Sequence, residues 1–171
     1  MRQSILRYFI SLLLVSLCIC SATSIFIISG SMKEDSEREM MYSVKLIEYN
    51  LDYSGDLNKQ IETLNPLAFS DDTRISVIDE KGKVLADTYK DDISSNHIKR
   101  EEVQEALHSS NHEGYAMRRS ETTNQPLLYA AYYKDNHIIR LSIPYSGVWG
   151  YFPELAPAFA ISILISILFS Y

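Results

Sequence analysis

Hydrophobic residues recur along this chain with three different periods. At both ends they run almost unbroken, and Tyr8–Met32 holds no charged side chain. Tyr8–Ile28 alone is 21 residues, about 31 Å of helix against a hydrocarbon core of about 30 Å. Beyond it, Met40, Val44, Ile47 and Leu51 are spaced four, three and four apart, the apolar stripe of a helix beginning near Lys33. Glu34, Glu37 and Glu39 fall near that start, where the helix dipole favours anions. Tyr53-Ser54-Gly55-Asp56 breaks the helix, with Gly55 able to take a positive φ. A shorter helix with Leu57, Ile61 and Leu64 on one side stops at Pro66.

After Asp71 the period falls to two. Arg74–Ile78 and Val84–Asp87 read as strands joined by Asp79-Glu80-Lys81-Gly82-Lys83, a hairpin connection with its glycine. Glu101–His108 returns to helical spacing with Val103, Ala106 and Leu107. Glu113–Arg119, Leu127–Tyr133 and Ile138–Ile143 are three further strands whose short polar connections make an antiparallel meander. Two helices, two strands, a helix and three strands predict an α+β domain, a five-stranded antiparallel sheet with one face packed on helices.

Charge sharpens this division. The 171 residues carry 16 basic and 22 acidic side chains, a net charge of −6, and all 22 acids lie between Lys33 and Glu154. Such an acidic balance argues against a nucleic-acid partner. A cleaved signal peptide would also begin with Arg2 and Arg7, but its apolar core is about 7–15 residues, and here apolar character continues through Ile25–Ile28. An uncleaved span follows, over residues 8–30. Arg2, Arg7 and the amino terminus favour a cytoplasmic tail at residues 1–7, although Lys33 and Arg38 on the other flank weaken the count. Residues 31–152 then form an extracytoplasmic domain. Leu155–Tyr171 is a second apolar run, with Trp149 and Tyr151 in aromatic-belt positions and Pro157 in its first turn. Its 17 residues reach about 25 Å, short of a full span, so residues 153–171 are expected to be a truncated second membrane helix and the chain a fragment. Cys18 and Cys20 both lie in the first span, leaving the outer domain no disulfide.

The stretch Arg74–Asp87, followed by Asn96–Leu107, resembles the extracytoplasmic sensor of phosphate-regulon-type histidine kinases. Leu127–Ala131 and Ile138–Pro144 are similar to the end of that domain. Glu101 departs from the pattern, since related chains often open this helix with proline, yet glutamate suits the same first-turn position. The resemblance implies a PAS-like sensor domain flanked by two transmembrane helices, ahead of an adaptor module and a kinase core. It implies ATP and Mg²⁺ for that core only, a cognate response regulator as partner, and a stimulus that is either a ligand or a partner protein.

Within these residues the chemistry of a kinase is not found. The histidines are His97, His108, His112 and His137; His112-Glu113 is followed by Gly114 rather than by the basic and Ser/Thr-Pro residues that follow a phosphoacceptor, and no glycine run could cradle phosphates. No catalytic residue, cofactor site or metal site is therefore assigned. His108, His112 and Glu113 could share a helix face around Zn²⁺, but Ser109-Ser110-Asn111 reads as a helix end. Asp71-Asp72 and Asp91-Asp92 read as solvated turn carboxylates. The candidate ligand pocket is His97, Arg118, Tyr129 and Tyr132, on a sheet face covered by Tyr89–Arg100, with half-buried packing tyrosines as the alternative. Signalling would shift the first helix against the last strand, and so the two spans against each other. A homodimer is expected, with the Met40/Val44/Ile47/Leu51 side either at its contact or in its own domain's core. Other receptors with the same outer module, a chemotaxis transducer or a diguanylate cyclase, and a membrane-anchored binding module fit the same residues.

Overall fold

The computed structural model describes residues 2–68, 72–89, 96–120 and 124–170. They form two units, Asp35–Ser146 and Met1–Glu34 with Gly147–Tyr171. The first helix, α1 (Arg2–Asn50), is unbroken. A separate helix starting at Lys33 is thus corrected: Gly30 lies within α1, and a mid-helix glycine costs only about 1 kcal/mol, too little to end a helix that Met32, Lys33 and Glu34 continue. Glu34, Glu37 and Glu39 are mid-helix and meet no N-terminal dipole.

In the unit Asp35–Ser146, α1 is followed by α2 (Leu57–Leu64), β1 (Arg74–Asp79), β2 (Val84–Asp87), α3 (Glu101–His108), β3 (Glu113–Arg119), β4 (Pro126–Lys134) and β5 (His137–Pro144). The strands form one sheet in the order β2-β1-β5-β4-β3, antiparallel throughout. One face is apolar. Ile75, Val77, Ala86, Leu128, Ala130, Ile139, Leu141 and Ile143 pack on Met40, Val44, Ile47 and Leu51 of α1 and on Ile61 of α2. Met40, Val44 and Ile47 are each 0% exposed, so this stripe belongs to its own domain's core and is corrected as a dimer contact. Each side chain so buried contributes about 1.5–3 kcal/mol. Two ion pairs pin α1 to the sheet, Lys45–Glu113 at 2.5 Å and Glu48–Lys134 at 2.8 Å.

The opposite face is covered in part by α3, whose Val103 and Ala106 pack with Ile78, Val84, Ala131 and Ile138. Helices therefore lie on both faces, not one. Gly114 makes this approach possible, since a Cβ there would stand 2.0 Å from the Glu102 carbonyl oxygen and 2.6 Å from the Ala106 nitrogen.

The turns follow local chemistry. Gly55 is corrected, because its φ is not in the left-handed region. The turn after α1 is held instead by Gln60, whose side-chain amide donates to the Asp52 carbonyl and accepts from the Asp52 N–H, both at 2.8 Å. Asp56 caps α2 by accepting from the Lys59 N–H, and Pro66 lies in the short 3-10 helix Asn65–Leu67 beyond it. In the β1–β2 connection Gly82 has φ +83°, while Asp79 accepts from the N–H groups of Lys81 and Lys83. The segment 96–98 clasps this turn: the Asn96 amide donates to the Lys81 carbonyl, and the His97 N–H donates to the Gly82 carbonyl at 2.7 Å.

The other unit contains the start of α1 and, after the short 3-10 helix Gly147–Tyr151, helix α4 (Phe152–Ser170). Among the described residues one helix, α1, is long and apolar enough to cross a membrane, with a mean hydropathy of 2.4 over its best window and none of that window buried. Pro157 sits inside α4 rather than in its first turn, because the helix begins at Phe152 and its first turn holds Pro153. Trp149, Tyr151 and Phe152 are all exposed.

Candidate functional site

On the α3 side of the sheet, beside the apolar Ile78, Val84, Ala131 and Ile138, stand charged and hydroxylated side chains that are buried or half-buried. The register aligns Asp87 of β2 with Ser76 of β1, and Ser76 with Arg140 of β5. Arg140 pairs with Ala131 of β4, two residues from Tyr129, and Tyr129 pairs with Ala116 of β3, two residues from Arg118. Side chains two apart on a strand point the same way, so these groups form a polar track across all five strands.

At one end Arg74 grips Asp87 with two N–H groups, Nε to Oδ1 at 2.9 Å and Nη2 to Oδ2 at 3.0 Å. Asp87 also accepts from the Ser76 hydroxyl at 2.7 Å and from the Tyr89 N–H at 2.8 Å. At the other end Arg118 makes a two-pronged pair with Glu102 of α3, at 2.6 and 3.0 Å. Its guanidinium carbon lies over the Tyr129 ring, 3.7 Å from the centroid, a cation–π contact as well as an ion pair. Arg140 is between the two pairs. Its Nη2 donates to the Ser76 hydroxyl at 3.1 Å, and its Nη1 is 3.6 Å from Glu102 Oε1.

Burial pushes the Glu102 carboxyl up, but the hydrogen bond from Arg118 and the charges of Arg118 and Arg140 outweigh it and hold the group below the usual glutamate range. Burial lowers Arg140, with Glu102 acting against it. Glu102, Asp87 and Arg140 are 0%, 1% and 3% exposed. Charges this deep persist only when paired and hydrogen-bonded.

Of the four residues expected in a pocket, the fold brings Arg118 and Tyr129 together. Tyr132 is corrected: an odd number of residues from Tyr129 on β4, it packs with the apolar core of the opposite face, with Lys45 5.2 Å from its ring. His97 is buried at the hairpin clasp. Of the covering segment Tyr89–Arg100, residues 90–95 lie outside the described residues, as do Asp71, Asp91 and Asp92. Ser76, Asp87, Glu102 and Arg140 were not expected in the site. The signal was there for Glu102, which lies at helical spacing beside Val103 and Ala106.

Other candidates separate. Helix α3 ends at His108, and His112 takes φ +59° against the edge of Tyr133, so the two histidines share no helix face. Glu113 is engaged by Lys45, Asn111 and Tyr115. Among the described residues no three potential ligands stand close enough to hold a metal ion. A shallow hollow lies elsewhere, at the end of α1 and along α2, lined by Asn50, Asp56, Lys59, Gln60, Thr63 and Leu64.

No model of a known protein family matches the chain, and no curated protein does. Solved structures similar to it include the ligand-binding domain of chemoreceptor Tlp3 of Campylobacter jejuni, in complex with 4-methylisoleucine, at 17% identity and a TM-score of 0.49 over 70% of this chain and 55% of that one. A methyl-accepting chemotaxis protein from Vibrio parahaemolyticus is similar at 17% identity and a TM-score of 0.49, over 72% of this chain and 97% of that one. The Bacillus subtilis protein YkuI, with an EAL domain, is similar at 16% identity and a TM-score of 0.49, over 75% of this chain. The chain spans 36% of the YkuI chain and about half of the Tlp3 chain.

Proposed function

We propose that this chain is the stimulus-receiving and transmembrane-signalling region of a membrane receptor, a two-component sensor histidine kinase. The observation that carries the reading is the continuity of α1. One helix, Arg2–Asn50, supplies both the exposed apolar segment Tyr8–Ile28 and the fully buried stripe Met40/Val44/Ile47 under the sheet. A change in how the sheet sits on that stripe is a displacement of the helix that would enter the bilayer. A stimulus needs only differential affinity for two such positions, and about 1–3 kcal/mol of coupling is typical.

In this reading residues 31–152 are extracytoplasmic, α4 is the second membrane helix, and Trp149, Tyr151 and Phe152 lie at the outer interface. The receptor works as a homodimer. Since Met40, Val44 and Ile47 are spent on the core, the contact falls to the exposed side of α1, where Tyr42, Leu46 and Tyr49 are 69%, 46% and 82% exposed. Assignment to a kinase rests on the resemblance of Arg74–Asp87 and Asn96–Leu107. ATP, Mg²⁺ and a response regulator belong to a core outside these residues.

Two measurements test it. Inside-out vesicles carrying the full-length gene product, given radiolabelled ATP, should acquire acid-labile histidine phosphate. Label on no residue, with methyl transfer or cyclic dinucleotide synthesis instead, assigns a different output. Three glycines inserted between Met32 and Lys33 should leave the domain folded and uncouple stimulus from output. Undiminished signalling through that insertion refutes the role of α1.

A further inference from the structure

We infer that the polar track is a receptor site for a small carboxylate, held by Arg140. This rests on the sensory reading above and names its ligand class. Among the described residues the track sets three guanidinium groups, Arg74, Arg118 and Arg140, against two carboxylates, Asp87 and Glu102. The two carboxylates are already committed. Asp87 is held by Arg74, Ser76 and the Tyr89 N–H, and Glu102 is held two-pronged by Arg118. The cation left over is the deepest of the three. Arg140 is 3% exposed, its nearest carboxylate oxygen is 3.6 Å away, and its Nε has no hydrogen-bond partner among the described residues.

A buried guanidinium N–H without an acceptor is costly, and the Glu102 carboxylate 3.6 Å away, already held two-pronged by Arg118, gives Nε none. Nε shares one edge of the guanidinium with Nη2, which spends one of its two N–H groups on Ser76 and has a second to give. That edge is a planar fork matching the two oxygens of a carboxylate. One negative charge there balances the track, and the neighbouring Tyr129 ring, 5.7 Å from the Arg140 guanidinium carbon, supplies an aromatic wall. An excess of one positive charge favours a singly charged carboxylate over a doubly charged phosphate.

The test uses the 171-residue chain in lipid nanodiscs, titrated with acetate, a set of α-amino acids, succinate and inorganic phosphate at constant ionic strength. At least one carboxylate should raise the thermal midpoint saturably. The Arg140 Nε–H resonance of the wild-type chain should shift along the same curve. Arg140→Lys keeps the charge but loses the fork and should weaken binding at least tenfold. Should that variant not fold, the wild-type resonance decides alone. Stabilisation by phosphate only, a response common to all anions, or an unmoved Nε–H signal overturns the inference. Carboxylate binding without any change in the output of the full-length receptor would sustain the site and refute the sensory reading. A receptor whose output answers its stimulus while no carboxylate binds would do the reverse.

Discussion

Gly114→Ala is the sharpest test of how α3 is seated. In a strand this substitution ordinarily adds about 0.4–1 kcal/mol of stability, because it reduces the freedom of the unfolded chain. Here the new methyl would lie 2.0 Å from the Glu102 carbonyl oxygen, against an ordinary contact of 3.4 Å or more, a shortfall of about 1.4 Å. The obstacle is helix backbone, which no rotamer change removes. Helix α3 must lift or slide, and Glu102 travels with it. Overpacking of this kind costs about 1–3 kcal/mol. Loosening the 2.6 and 3.0 Å bonds to Arg118 adds about 1.5–3 kcal/mol, the range for hydrogen bonds to charged groups. Together these come to about 2.5–6 kcal/mol, opposite in sign to the unfolded-state effect, which offsets at most about 1 kcal/mol of it. Urea unfolding followed by far-ultraviolet circular dichroism gives the change in midpoint, and amide exchange in Val103–Leu107 localises it. A gain in stability, or a loss below about 1 kcal/mol with unchanged exchange, would show that α3 is not seated on Gly114.

Gly82→Ala meets both a φ of +83° and the Ile98 nitrogen at 2.3 Å, so it should release the clasp and speed exchange of the His97 amide at a cost of about 1–3 kcal/mol. Glu102 is ionised below its ordinary 4.5, and a depressed carboxyl stabilises the fold above that value and loses the contribution as pH falls through the folded value. Below pH 4.5 the wild-type chain should therefore lose more urea stability than Glu102→Gln, and parallel acid profiles would contradict the pairing. Glu102→Met alone should cost about 3–5 kcal/mol by stranding Arg118 and weakening the hold on Arg140, whereas Glu102→Met with Arg118→Met should recover part of it; additive losses would exclude the coupling. In membranes, Tyr42→Cys or Tyr49→Cys should crosslink to a second copy while Val44→Cys does not, since Val44 is 0% exposed; the opposite ranking would refute the dimer face.

Sequence periodicity located most of the elements because each is amphipathic on its own scale. Strands β1 to β5 and helices α2 and α3 fall within a residue or so of their expected limits, and Gly82 marks its turn. The strand order was not legible. Nothing local says that β5, last in the chain, enters between β1 and β4, because that placement is decided by long-range pairing. The continuity of α1 was hidden by composition. The charges after Met32 look like the start of something new, yet helical hydrogen bonds are indifferent to whether side chains face lipid or water. The role of the Met40 stripe was open for a related reason: an apolar stripe specifies burial, not what buries it.

The polar track escaped for a deeper reason, which also bears on function. Alternation within a strand reads as one face in and one face out, and Ser76, Asp87, Arg118 and Arg140 occupy the positions that look outward. That inference fails when the second face is covered as well. An apolar second face would have been the more stable solution, since a buried ion pair is often no better than well-packed hydrocarbon, and breaking one is far worse. The domain already has an apolar face carrying Met40, Val44, Ile47 and Ile61, so the charged face is not its main source of apolar burial. Five strands thus present one surface that holds α1 and another that, among the described residues, sets three arginines against two carboxylates. A surface of the second kind changes its energy whenever an anion arrives or a carboxylate is protonated, and the strands that carry it are the same ones whose reverse side grips α1. In the receptor proposed above, occupation of one face and the position of the helix on the other would be coupled through this single sheet.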